Sequence, residues 1–74
     1  MDNNERIETL SKLTDSMNEV ISDAESCPNA GRKTRLIKQA IKIFNVIDSL
    51  SMIWALDVPD EARRAGETLT SYFN

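Results

Sequence analysis

At 74 residues and a net charge of −3, the chain makes one small domain and is poorly suited to general nucleic-acid binding. It has no His and a single Cys, Cys27, which excludes an internal disulfide and argues against a zinc site or His-based catalysis. A chain this short buries only about 60% of its unfolded surface, so a partner or a second copy is the natural source of further stability.

The first segment is expected to be a helix over residues 4–25. Its apolar positions are Ile7, Leu10, Leu13, Met17, Val20, Ile21 and Ala24. From Leu10 to Ala24 the steps alternate between three and four residues, which makes one narrow stripe on a helix. Glu8, Lys12, Asp15, Glu19 and Asp23 fall on the wetter side. Asn3 or Asn4 is placed to cap the start, and Glu5 and Glu8 suit the positive helix end. Pro28 and Gly31, within "ESCPNAGRK", end the segment. Cys27 lies there as a loop thiol, with no His to activate it.

The second segment, expected over residues 32–56, is apolar around most of its circumference. Leu36, Ala40, Ile43, Ile47, Leu50 and Trp54 form a seam. Val46 and Ile53 flank it on one side, and Ile37, Ile41, Phe44 and Ala55 on the other. Only Lys38, Lys42, Asn45 and Ser49 make a consistently polar stripe. Such a helix has neighbours on two or more sides. Polar residues interrupt the run often enough to disfavour a membrane span.

The third segment is expected over residues 58–73, with Asp57 as its cap and Pro59 in the first turn. Ala62, Ala65, Leu69, Tyr72 and Phe73 form its apolar stripe, and Gly66 permits close packing on the central helix. Nothing in the chain has the alternation of a strand. Short connections favour antiparallel neighbours, so residues 1–74 are expected to form one all-α domain. Its architecture is an up-down-up three-helix bundle, open to completion by a partner helix or a second copy. At about 1.5 Å per residue the third helix is too short to reach the first turns of the second. Leu36, Ile37 and Ile41 are then left as a partly open groove, or are covered by the loop or by lysine stems.

Charge divides by segment. Residues 1–30 carry −5, residues 31–56 carry +4 and residues 57–74 carry −2. "GRKTRLIKQAIK" holds five bases without an acid, but its helix is too apolar for a recognition helix. Antiparallel packing would instead set Glu19, Asp23 and Glu25 beside Arg32, Lys33 and Arg35. No catalytic constellation, cofactor motif or phosphate-binding glycine loop occurs. Asp48 is the one acid in the apolar helix and reads as a boundary residue. The acidic, polar start "MDNNERIE" is unlike a secretory leader, and a cytoplasmic location is expected.

The run "LIKQAIKIFNVIDSLSMIWALDVPDEARRAGETLTSYF" resembles the carboxyl-terminal half of the flagellin export chaperones. The matching positions are Lys38, Ala40, Ile43, Ile47, Leu50, Leu56, Asp57, Leu69, Tyr72 and Phe73. The family's amino-terminal tyrosine-bearing segment and first helix have no counterpart here. Thr68 stands where the family usually has Asn, and one extra residue follows Asp57. The resemblance implies a shortened relative that holds a secretion substrate in a helix-binding groove, with Ile43, Ile47, Trp54 and Leu69 as contacts.

These observations favour a small helical adaptor or chaperone for a partner protein's amphipathic helix, acting without catalysis. A flagellar or type III secretion substrate is the partner the resemblance implies. The candidate partner-binding residues are Leu36, Ile37, Ile41, Ile43, Phe44, Ile47, Trp54 and Leu69. Two alternatives stay open. One is a homo-oligomeric structural protein. The other is a small inhibitor or immunity-type protein acting through Glu8, Asp15 and Glu19.

Overall fold

The computed structural model describes residues 2–72, and Phe73, placed by sequence on the third apolar stripe, lies outside them. Among the described residues there are three helices and no strand: α1 (Asn3–Glu25), α2 (Ala30–Ile53) and α3 (Asp60–Ser71).

The helix ends follow local chemistry. Asp2, one residue before the expected caps, starts α1 by accepting the Glu5 N–H at 2.9 Å. Asn29 does the same for α2 through the Arg32 N–H, also at 2.9 Å, so α2 begins at Ala30 and includes Gly31. Between these helices, Cys27 is half-buried, with its thiol 3.5 Å from the Asn29 carbonyl oxygen.

The carboxyl end of α2 falls at Ile53, not at residue 56. Trp54 caps it, and Ala55 has a φ of 55°, the left-handed conformation. The Ala55 N–H donates to the Met52 carbonyl and the Leu56 N–H to the Ser51 carbonyl, at 3.2 and 2.8 Å. This pair of bonds is a Schellman ending, which usually has Gly where Ala55 stands. The sequence offered no Gly to mark it. Ala55 is exposed, so Ala55→Gly removes the strain without disturbing the core. We expect it to stabilise the fold by about 0.5–1 kcal/mol in urea unfolding. An unchanged or lower midpoint would contradict the left-handed ending.

Pro59, not Asp57, precedes α3, and it makes no side-chain cap. A proline disfavours helical backbone in the residue before it, which keeps Val58 out of the helix. Residues 56–59 therefore form a non-helical linker, and Leu56, Asp57 and Pro59 lie beside Ile7 and Leu10 of α1.

The chain directions are up, down, up. Gly66 of α3 lies on the Phe44 ring of α2, and Tyr72 near the end of α3 meets Lys33 near the start of α2. The Lys33 Nζ is 5.5 Å from the Tyr72 ring centroid. Along α1, Ile7 and Leu10 share a hollow with Leu56, Asp57 and Pro59. Further up, Asn18, Ile21 and Glu25 share one with Glu61, Arg64, Ala65 and Thr68. Thus α1 and α3 run parallel, and α2 opposes both.

The core is built from Leu10, Met17, Ile21 and Ala24 of α1, with Ile37, Ala40 and Ile47 of α2. Ala62, Ala65 and Leu69 of α3 complete it. Two hydroxyls are buried with them and were not expected. Thr14 and Ser51 each donate to the carbonyl four residues back, Leu10 and Ile47, at 2.8 Å. Both hydroxyls are therefore satisfied within their own helix.

The expected gap at the start of α2 is largely closed. Ile37 is buried and shares a small hollow with Ala30, Lys33, Thr34 and Tyr72. Leu36 and Ile41 are half-buried and pack on the core. The non-helical linker of residues 56–59 adds to the reach of α3. Four linker residues can span at most about 13 Å and the 12 helical ones about 18 Å, so together they can reach up to about 31 Å. That matches the roughly 30 Å of helix between Ile53 and Lys33.

The expected ion pairs between α1 and α2 do not form. Among the described residues the ion pairs are Lys12–Glu8 and Arg63–Asp60, both local and exposed. Glu19 lies two residues from buried Met17, about 200° round α1 and so away from α2. Lys33, for its part, is engaged by Tyr72.

Candidate protein-binding face

On α2, Phe44 lies about 60° to one side of buried Ile47, and Val46 about 100° to the other. Phe44 meets α3 through Gly66, so Val46 is on the side away from α3. Ile43, Val46, Leu50 and Ile53 continue that side at steps of three, four and three. Leu36 and Gln39 extend the same spacing toward the start of the helix. The interval is that of a helix-pairing seam. No helix of this chain covers it completely: Val46 is 47% exposed and Ile53 is 74% exposed.

The adjoining flank of α1 carries Leu13 and Val20, both half-buried. They lie about 40–60° round from Met17, opposite the flank where Asn18 and Glu25 meet α3. The two flanks form a shallow apolar face between α1 and α2, turned away from α3. Its α2 rim is basic and its α1 rim carries both signs. Lys12 and Asp23 border it on α1, and Arg35 and Lys42 on α2. All four are exposed, and of these only Lys12 is in an ion pair among the described residues, with Glu8.

The sequence-derived candidates divide. Ile37, Ile47 and Leu69 are buried at 5%, 0% and 2% exposure, so they are part of the bundle core. Phe44 is half-buried under Gly66 on the α3 side, and Ile41, also half-buried, lies beyond it on that side of α2. Leu36 and Ile43 belong to the α1–α2 face. Trp54 stands at the end of this face. The Arg6 guanidinium lies 5.7 Å from its ring centroid, a cation–π contact that covers one side of the indole. The Arg6 Nε is buried there with no hydrogen-bond partner.

Leu13, Val20, Val46, Leu50 and Ile53 were not among the candidates. Their signal was the alternating spacing on one flank of α2, masked because α2 is apolar on both flanks. Among the described residues no group of three or more potential ligands could hold a metal ion. No helix there is long and apolar enough to cross a membrane. Comparison of the chain with protein families, curated proteins and solved structures finds no match.

Proposed function

We propose that the chain is a small helical adaptor or chaperone, acting in the cytoplasm and without catalysis. It would take a partner protein's amphipathic helix onto the face between α1 and α2. The observation that carries this reading is the exposure of Val46 and Ile53 on a seam of regular helix-pairing spacing. In its most specific form the partner is a flagellar or type III secretion substrate. Support for that form is the sequence resemblance, from which Ile43 falls on the face, while Ile47 and Leu69 are core residues.

The test is capture of partners from native lysate by the tagged chain, with Val46→Asp and Ile53→Asp as variants. A buried apolar side chain contributes about 1.5–3 kcal/mol, so each variant should lose about tenfold or more of the captured protein. Their melting midpoints should match the parent, because both sites are exposed. Undiminished capture of the same protein by folded variants would overturn this use of the face.

A further inference from the structure

Of the three helices, α3 holds on by the smallest side chains. Its buried residues are Ala62, Ala65, Gly66 and Leu69, so Leu69 is the one large side chain it seats in the core. From α1 and α2 come Leu10, Met17, Ile21, Ile37 and Ile47. Those two helices also share the half-buried residues of the face turned away from α3, Leu13 among them.

Polar contacts add little to the attachment of α3. Among the described residues no side-chain hydrogen bond or ion pair joins it to another helix. The hydroxyls of Thr68, Thr70 and Ser71 and the Arg63–Asp60 pair all close within α3. What crosses to α2 is the cation–π contact of Lys33 with Tyr72, a residue 38% exposed.

Undocked, α3 would not persist as a helix. It has 12 residues, no side-chain cap and Gly66 in its interior, and isolated helices shorter than about 12–15 residues are marginal in water. Its helical state therefore depends on docking, whereas α1 and α2, of 23 and 24 residues, support each other. The linker separates the two parts. Ala55, in the left-handed region, ends α2, and Pro59 precedes α3, so no helical hydrogen-bond ladder runs from one to the other.

We infer that α3 is a strap that opens as a unit, unfolding from the bundle while α1 and α2 stay paired. Leu56, seated beside Ile7 and Leu10, is the pivot. Opening uncovers Ile21, Ile37 and Phe44, which Ala65, Tyr72 and Gly66 adjoin in the closed chain. The molecule thus holds a second apolar groove, on the flank opposite Val46, with its own helix as the cover. The adaptor reading concerns the other face and does not bear on this opening.

Native-state hydrogen exchange of the full chain, resolved by residue and followed from zero to sub-denaturing urea, tests it. Relative to their intrinsic rates, the amides from Ala65 to Leu69 should exchange about tenfold or more faster than the slowest amides of α1 and α2. They should share one urea dependence, shallower than that of α1 and α2 but not zero. Leu13→Ala gives a second readout. Leu13 lies on the face away from α3, so its packing survives the opening and is lost only in global unfolding. In that variant the slowest amides of α1 and α2 should exchange about tenfold faster, and those of α3 at the parent's rate. Equal rates and equal urea slopes in all three helices would mean one cooperative unit and overturn the inference. So would α3 amides that ignore urea, the mark of fraying, or that speed up with Leu13→Ala as α1 and α2 do. If Leu13→Ala does not fold, the urea slopes of the parent decide.

Discussion

Ile47→Ala is expected to leave the chain largely unfolded at room temperature. Ile47 has no solvent exposure and lies between the apolar stripes of its neighbours. Truncating a buried isoleucine to alanine costs about 2–5 kcal/mol. A domain below roughly 80 residues rarely has more than about 3–5 kcal/mol in total. Ile53→Ala removes the same atoms from an exposed position in the same helix, and should change stability by about 0.5 kcal/mol at most. Urea unfolding followed by far-UV circular dichroism compares the two. The resemblance to export chaperones would make Ile47 a contact residue. If Ile47→Ala melts like the parent and loses only partner capture, that assignment is right and the core assignment is wrong.

The second large effect is a change of sign at Gly66. A Cβ there would stand 2.6 Å from the Phe44 Cε2 and 2.7 Å from its Cζ, closer than packed carbons tolerate. Overpacking of this kind costs about 1–3 kcal/mol, whereas Ala in place of a helical Gly gains about 1 kcal/mol. Gly66→Ala should therefore destabilise the parent chain, by up to about 2 kcal/mol. With Phe44→Leu the ring atoms are gone and only the helix preference remains. Gly66→Ala should then stabilise that background by about 1 kcal/mol. Equal effects in the two backgrounds would show that the ring does not set the distance between α2 and α3.

Apolar spacing was enough to place the three helices, their order and much of the core. Leu10, Met17, Ala24, Ala62, Ala65 and Leu69 were assigned to inward stripes from the sequence and are buried. The ends of the helices were less legible, because each depends on one residue whose role is conditional. Asp2 and Asn29 cap through side chains that many loop residues share. Ala55 takes a left-handed backbone that alanine seldom adopts, and Leu56 after it packs against the core. The unforeseen turn is also why the cover of Ile37 stays open in the sequence between a groove and closer packing, since the path of residues 56–59 decides how far α3 reaches. The docking face was hidden for another reason. On a helix apolar around most of its circumference, spacing shows that there are neighbours but not which flank each one takes. Contact between Gly66 and Phe44 assigns α3 to one flank and so leaves Val46 and Ile53 on the other.

The places of Trp54 and Cys27 have a practical consequence. The chain has one indole and one thiol, set at opposite ends of α2. The 24 residues between Ala30 and Ile53 separate those ends by about 36 Å at the helical rise, in a molecule 42 Å long. The protein thus carries its own optical ruler. An acceptor dye on Cys27 would pair with the native donor at Trp54 and gauge the length of the bundle, with no residue replaced.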